Sequence, residues 1–276
     1  MAIFDHLSDL GTRTASAIVM AIIAIGSTWL GSWYFFAFAV VLALIAFSEW
    51  IKILGHRLFS LPALLGYASI LASCHMMMTD GTLVLIVPLG CAIVVLMLAG
   101  SVLKNSLLLV TGLAICGLFG LSLISLRADP ELGFLAIVVL FALVWGTDIG
   151  AYFTGRLIGG PKLWPVVSPK KTWSGSVGGT LIGAASAAII VYWQAGLVSG
   201  LFVGLLILLS ILSQLGDLGE SGLKRKFGVK DSGSIIPGHG GVLDRIDGFA
   251  IACIAAAAIG VGWPDLGTSA AGFLGW

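Results

Sequence analysis

Four aspartates lie at the predicted ends of apolar segments, where a carboxylate could bind a cation. Asp148 and Asp217 each follow a long apolar run, and Asp244 and Asp247 precede the last one. Asp244 and Asp247 would share one face of a helix that begins there, because they are three residues apart. Carboxylates next to hydrocarbon are costly and commonly handle ions or substrates, and Mg²⁺ prefers oxygen ligands. The group therefore favours an all-oxygen metal site, although any single acid could simply mark a helix end.

Clusters of basic residues accompany these acids. The segments Ser168-Pro169-Lys170-Lys171-Thr172 and Lys224-Arg225-Lys226 are compact groups of donors for oxyanions. In Pro237-Gly238-His239-Gly240-Gly241, glycines would let backbone N–H groups approach a phosphate. Acids and bases together indicate a phosphate-rich substrate that is handled with a metal. The alternative is that the bases only set membrane orientation and contact anionic headgroups.

The elements that must position these residues are predicted to be transmembrane helices. Of the 276 residues, 59% are hydrophobic and 10% are charged, and the mean hydropathy is +1.10. Soluble domains carry about 25% charged residues, so this composition excludes a water-soluble globule. It also excludes a disordered chain, which would be poor in apolar residues. The predicted fold class is all-α, a polytopic membrane helical bundle.

Nine apolar runs have roughly the 20 residues that a bilayer core of about 30 Å requires. They are 15–30, 33–50, 58–78, 82–100, 106–126, 132–147, 175–195, 197–216 and 248–264. With nine spans, 13 of the 14 Lys and Arg residues lie on one face of the membrane and only Arg127 lies on the other. The positive-inside rule then predicts a cytosolic N-terminus.

Two long connections, 148–174 and 217–247, lie on this predicted cytosolic face and hold nine basic and six acidic residues. We expect the chemistry there, because long loops without a domain of their own are usually functional or disordered. The chain is predicted to be one membrane-embedded domain over 1–276. In it, 1–130 is mainly helical scaffold and 131–276 carries the catalytic loops and helices.

Other features are assigned to structure alone. A ridge of small residues predicts close helix packing, because it lets two backbones approach; its members are Gly178, Gly179, Gly183 and Ala187. Glu49 closes the second apolar run, and Lys52 could pair with it. The four cysteines stand singly, which indicates neither a zinc site nor disulfides.

Segment 221–247, SGLKRKFGVKDSGSIIPGHGGVLDRID, closely resembles the signature of the phosphatidate cytidylyltransferases, also called CDP-diacylglycerol synthases. Segment 216–221 resembles the family pattern too, as does the earlier loop with Asp148, 151–156 and 168–173. The motifs cover roughly a third of the chain, and the first five spans match only by hydropathy. Many family members have Glu at the position of Ser174, so any task of that acid is absent here or is carried by another residue.

The resemblance implies that CTP and phosphatidic acid react to give CDP-diacylglycerol and pyrophosphate. It implies Mg²⁺, with a second cation left open, and membrane lipid, a homodimer and no nucleic acid as partners. Asp217 and Asp244 are expected to bind the metal, with Asp247 as third ligand or orienting group. The expected catalytic residues are Asp217, Asp244, Lys224, Arg225 and His239, and those expected to bind substrate are Ser168, Lys170, Lys171, Thr172, Ser221, Lys230 and Arg245. The expected location is a bacterial inner membrane, with the active site on its cytoplasmic face.

Two other functions remain open at this stage. A CTP-dependent polyprenol or phytol kinase would share the nucleotide, the metal and the topology, but the 230–247 string favours the cytidylyltransferase. A transporter would place its ion-coupling acids near the bilayer midplane, whereas these acids cluster at one predicted boundary.

Overall fold

Helices form nearly all the regular structure in the computed structural model, which describes residues 2–79, 86–101 and 103–275. In chain order the elements are α1 (Ala2–Leu30), α2 (Ser32–Ile53), α3 (Leu61–Thr79), α4 (Ile86–Leu98), α5 (Ser106–Arg127), α6 (Gly133–Leu157), β1 (Lys162–Trp164), β2 (Ser168–Thr172), α7 (Trp173–Ala195), α8 (Gly200–Lys226), α9 (Leu243–Val261) and α10 (Ser269–Leu274). Strands β1 and β2 pair antiparallel as a hairpin between α6 and α7. The all-α prediction is confirmed.

Seven of the described helices are long and apolar enough to cross a membrane, namely α1 from Gly11 onward, α2, α3, α5, α6, α7 and α8. Helix α4 is apolar but shorter, and α9 carries three charged residues within its first five positions. A described helix therefore overlaps each of the nine predicted runs, with ends that differ by a few residues. Residues 82–85 of the fourth run lie outside the described residues. The polytopic membrane bundle is confirmed, and the exact count of nine spans and the cytosolic N-terminus stay predictions.

Two helix ends differ from the sequence prediction. Helix α6 continues ten residues beyond 147, to Leu157, and α8 continues ten residues beyond 216, to Lys226. Hydropathy falls at 147 and at 216, but a helix can continue as an amphipathic one where proline is absent. The helices continue here although each extension contains two glycines, Gly150 and Gly155 in α6 and Gly219 and Gly222 in α8. Helix α6 ends only before Gly159 and Gly160, whose positive φ angles of 67° and 99° favour glycine. The two long loops are thus shorter than expected.

The chain forms two compact units. Unit 1 comprises residues up to Ile124 together with Phe227–Ile246, and unit 2 comprises Ser125–Lys226 together with residues from Asp247 onward. The prediction of a single domain is not tested by this division and stays a prediction.

In unit 1, aromatic side chains fix the position of α2. The ring of Phe47 packs over Gly66 of α3 and meets Tyr67 edge to face, with ring centroids 5.5 Å apart. The indole of Trp50 covers Gly112 of α5 and donates a hydrogen bond of 2.8 Å to the Leu108 carbonyl. Helix α2 is therefore held on two sides next to Glu49.

In unit 2, α6 and α7 pack at very short distance along the predicted ridge of small residues. A Cβ atom at Gly179 would lie 2.6 Å from the Thr147 carbonyl oxygen, and one at Gly183 would lie 2.5 Å from the Leu143 carbonyl oxygen. Ala187 further along the ridge is fully buried. The prediction that this ridge packs against another helix is confirmed.

Candidate active site

A cleft of about 420 Å³ opens in unit 2 between α6, α7 and α8. It lies at the helix ends that the sequence predicts to face the cytosol. Its lining includes four of the acids and bases that the sequence singled out, two aspartates and two lysines. The lining residues are Asp148, Ala151, Tyr152, Gly155, Arg156, Leu163, Lys170, Lys171, Thr172, Gly175, Ser176, Gln214 and Asp217. An aromatic ring, three cationic side chains and two carboxylates thus surround one cavity. Such a lining suits a ligand that carries both a ring and phosphate groups.

An ion pair lies at the centre of this lining. The ammonium group of Lys171 on β2 contacts the carboxylate of Asp217 on α8. Both side chains keep about a third of their surface exposed, 30% and 31%, so a ligand can still reach them. The Ser221 hydroxyl donates a hydrogen bond of 3.2 Å to Asp217 Oδ1. The structure therefore brings three predicted site residues together.

The β-hairpin and the start of α7 position the basic side chains of the cleft. The Thr172 Oγ accepts a hydrogen bond of 3.1 Å from the backbone N–H of Gly175 and so caps the N-terminus of α7. The Ser174 hydroxyl donates to the carbonyl of Gly159, at the end of α6. Ser174, where many family members have Glu, thus ties the two ends of the hairpin segment together.

Helix α8 carries a continuous polar face below the cleft. Asp217, Glu220, Ser221 and Lys224 lie at positions i, i+3, i+4 and i+7 of one helix. Glu220 and Lys224 are both buried and form an ion pair of 2.6 Å. The expectation that Asp217 stands at a helix C-terminus is wrong, because α8 continues for nine residues beyond it.

Asp247 in α9 is an acid of unit 2 that lies near Asp217 and Glu220. It is half-buried, and its Oδ1 accepts a hydrogen bond of 2.7 Å from the N–H of Gly248. It lies close enough to Asp217 and Glu220 to feel their negative charge, and Lys224 partly offsets that repulsion. Three carboxylates therefore share one neighbourhood with the two ammonium groups that pair with them.

This neighbourhood is chemically suited to Mg²⁺, which is commonly held by one or two carboxylates together with waters and substrate phosphates. Asp217 and Asp247 would supply such a pair. In the described part of the chain, no group of three or more His, Cys, Asp or Glu side chains is arranged to bind a metal by itself. The three-aspartate ligand set that includes Asp244 stays a prediction.

In unit 1, Asp244 organises the signature loop between α8 and α9. Its Oδ2 accepts hydrogen bonds from the backbone N–H groups of Ser232, at 2.9 Å, and Gly241, at 2.8 Å. A buried acid of α2, Glu49, binds the same loop through the hydroxyl of Ser232. The sequence offered Lys52 as a partner for Glu49, whereas the hydrogen bonds of its carboxylate in the structure are with the signature loop.

His239 is held at the tip of the signature loop. Its Nδ1 lies 2.7 Å from the Ser16 hydroxyl of α1, and its carbonyl accepts two hydrogen bonds from the Arg245 guanidinium, at 3.1 and 3.2 Å. Burial lowers the pKa of the His239 imidazole below its ordinary value, and the positive charges of Arg245 and Arg13 add to this effect. The neutral ring is therefore the stable form at neutral pH.

The other predicted site residues are distributed over both units. Arg225 and Lys230 are exposed, in α8 and in the loop after it, and Ser168 and Lys170 lie on β2. Sequence reasoning did not assign a site role to Glu49, Tyr152, Arg156, Gln214 or Glu220. Tyr152 and Arg156 already stood in a family motif, so their contribution to the cleft could have been found. Glu49 and Glu220 carried no signal beyond being rare acids in apolar surroundings.

Fold and cleft define an integral membrane protein with an acid- and base-lined site for a phosphorylated ligand. The model of the cytidylyltransferase family matches residues 11–261, and the chain belongs to that family. It is 42% identical over 256 residues to the phosphatidate cytidylyltransferase of Brucella suis biovar 1 (strain 1330), covering 92% of each chain. It is 38% identical over 246 residues to that of Staphylococcus haemolyticus (strain JCSC1435), covering 86% of this chain and 94% of the relative.

Proposed function

We propose that this protein is a phosphatidate cytidylyltransferase, which transfers CMP from CTP to phosphatidic acid and releases pyrophosphate. The observation that carries the proposal is the cleft of unit 2, in which Lys171 and Asp217 pair beside further cationic side chains. The named relatives, which match nearly the whole chain, support the same activity. An enzyme of phospholipid synthesis also accounts for a membrane-embedded fold, because moving a two-chain lipid into water costs about 0.8 kcal/mol per CH₂.

The reaction is an in-line displacement at phosphorus. An oxygen of the phosphatidate phosphate attacks the α-phosphorus of CTP, and the bond from that phosphorus to the oxygen bridging to the β-phosphorus breaks. Phosphoryl transfer of this kind depends on positioning and on the neutralisation of crowded negative charge. Arg156, Lys170 and Lys171 would bind the triphosphate in the cleft. Tyr152 offers an apolar ring to the nucleoside.

Asp217 and Asp247 would hold Mg²⁺, which would supply Lewis-acid activation of phosphoryl oxygens when bound. The donor chemistry supports this assignment, because Asp217 and Asp247 offer carboxylate oxygens of the kind that Mg²⁺ prefers. The two carboxylates lie close enough for the charge of one to act on the other. The catalytic roles of Asp244 and His239, the second cation and the homodimer stay predictions.

The active site is proposed to face the cytoplasm of a bacterial inner membrane. Placing 13 of the 14 basic residues on one face supports this orientation through the positive-inside rule. A triphosphate does not cross a bilayer unaided, so the site must face the compartment that supplies CTP.

Labelled CTP tests the proposed reaction with the purified full chain in lipid nanodiscs that contain both phosphatidic acid and a polyprenol. We expect the label of α-labelled CTP to enter the lipid and that of γ-labelled CTP to remain in water as pyrophosphate. Label that enters the lipid only from the γ-position would instead establish a lipid kinase. Absence of transfer from either position would refute both.

A substitution at Asp217 tests the site. Asp217→Asn keeps the shape of the side chain but removes its charge, and we expect transfer to fall about 100-fold or more. Asp265→Asn is the matched control, because it makes the same change at an exposed acid near the C-terminus. Removal of divalent cations with EDTA should abolish transfer, and added Mg²⁺ should restore it. Transfer that survives EDTA would remove the metal from the proposal.

A further inference from the structure

Glu49 is a fully buried acid that lies almost 200 residues from its partners in sequence. Its side chain has no exposed surface, and both carboxylate oxygens accept hydrogen bonds from the signature loop. Oε1 accepts from the N–H of Val242 at 3.1 Å. Oε2 accepts from the N–H of Leu243 at 2.7 Å and from the Ser232 hydroxyl at 3.1 Å.

These contacts make an acid of α2 the cap of α9. Leu243 is the first residue of α9, and the first N–H groups of a helix have no partner within it. Negative charge at this end is stabilised by the helix dipole. A buried carboxylate is tolerated only where donors surround it, and the three donors of the loop meet that requirement.

The loop also encloses Glu49 so closely that side chains are excluded at two of its positions. A Cβ atom at Gly241 would lie 2.6 Å from Oε2, and one at Gly233 would lie 3.0 Å from the carboxyl carbon. Gly233 and Gly241 of this signature segment therefore have a structural reason that does not involve a ligand. They leave room for the carboxylate of Glu49.

Ser232 links Glu49 to Asp244. The hydroxyl of Ser232 donates to Glu49, whereas its backbone N–H donates to Asp244. Asp244 also accepts from the N–H of Gly241, next to the residues that bind Glu49. Any change in the carboxylate of Glu49 must therefore shift the hydrogen bonds that fix Asp244.

We propose that Glu49 is a positioning residue for the reaction: its carboxylate holds the signature loop in the conformation that places Asp244 and Arg245. This inference rests on the proposed function, because the loop matters to catalysis only if the chain transfers CMP. Glu49 itself is buried under the loop and does not touch substrate.

Glu49→Gln tests the proposal with minimal change in size. An amide offers one oxygen and one NH₂ group, so at least one of the three loop donors would face another donor. We expect kcat/KM for CMP transfer to fall at least about tenfold. Glu131→Gln is the matched control, since it makes the same change at an exposed glutamate, and it should leave transfer unchanged.

Two further variants separate positioning from general instability. Glu49→Asp keeps the charge on a shorter side chain and should recover part of the activity lost in Glu49→Gln. Ser232→Ala removes one donor and leaves the two backbone bonds to Glu49, so it should give an intermediate loss. Hydrogen exchange on the intact protein in nanodiscs should show faster exchange in peptides covering 232–243 for Glu49→Gln, but not in peptides from α7.

The outcomes distinguish this inference from the proposed function. If the unmodified chain transfers no CMP, the proposed function fails. If it does transfer CMP and Glu49→Gln matches it in activity and in exchange of the loop, the positioning role is refuted. Should Glu49→Gln fail to fold, Ser232→Ala decides: wild-type activity overturns the proposal, and a loss with a normal melting temperature supports it.

Discussion

Replacing Gly179 by alanine would separate the two helices that form most of the cleft. A Cβ atom at this position would lie 2.6 Å from the Thr147 carbonyl oxygen, 2.9 Å from the Ala151 Cβ and 3.1 Å from the Ala151 nitrogen. Carbon atoms that pack without strain lie about 3.5–4.0 Å from their neighbours. The methyl group is therefore up to about 1 Å too close to these three atoms, and two of them belong to the backbone of α6. Backbone atoms cannot rotate away, so α6 and α7 must move apart.

The cost of this separation can be isolated with a matched glycine. Overpacking of a tight interior costs about 1–3 kcal/mol, and the gain in helix propensity from Gly to Ala offsets up to about 1 kcal/mol of it. Gly204 in α8 has no atom within 4 Å of its hypothetical Cβ, so Gly204→Ala has the propensity gain without the clash. We expect the free energy of unfolding of Gly179→Ala to lie about 1–3 kcal/mol below that of Gly204→Ala.

Thermal unfolding in detergent and CMP transfer together measure the effect. Ala151 and Gly175 line the cleft on the two helices, and a displacement of about 1 Å there should lower activity about tenfold or more. Gly204→Ala should melt at or above the wild-type temperature with normal activity. The packing argument is wrong if the two variants melt together, because the calculated clash would then have no energetic consequence.

Three further predictions concern the loops and the polar face of α8. Burial, and next the charge of Arg245, lowers the pKa of the His239 imidazole in the folded protein. The neutral ring therefore contributes stability above the ordinary histidine pKa of about 6.5, and this contribution is lost as the pH falls through the lowered pKa of the folded state. His239→Gln should weaken this pH dependence in melting curves. Asp129→Ala removes the acceptor of two N–H groups at the start of α6 and of the Thr268 hydroxyl, so it should lower the free energy of unfolding by about 2 kcal/mol with KM for CTP unchanged. One alanine inserted after Leu218 would turn the two ends of the polar face about 100° apart and should abolish transfer; an active insertion variant would show that this face is not needed.

The parts of the fold that follow from local sequence could be predicted. Hydropathy located a helix at each of the nine apolar runs, because an apolar segment in a bilayer must satisfy its backbone hydrogen bonds internally. The spacing of Gly179 and Gly183 located the close packing of α7, because small residues let two helix backbones approach each other. The contact between Lys171 and Asp217 joins the two long connections in which the sequence analysis expects the chemistry.

The ends of helices and the long-range partners could not be predicted in this way. Hydropathy reports where apolar character stops, and α6 and α8 continue as helices beyond that point. The contacts of Glu49 join residues 193 and 194 positions apart. A single sequence contains no local signal for such a pairing. It could offer only a nearby partner for Glu49, namely Lys52, three residues away.

The continuation of α8 changes the chemical meaning of its motif. As a loop, residues 217–226 would hold their charges in no fixed relation, whereas as a helix they place Asp217, Ser221 and Lys224 along one face. Asp217 then lies inside the helix, away from the negative end of its dipole, and the last turn contains only bases among its charged residues, which that end favours. Asp217 is therefore presented on the same face as Ser221 and Lys224, where it pairs with Lys171. The helix fixes the spacing of these polar groups, which a loop would not.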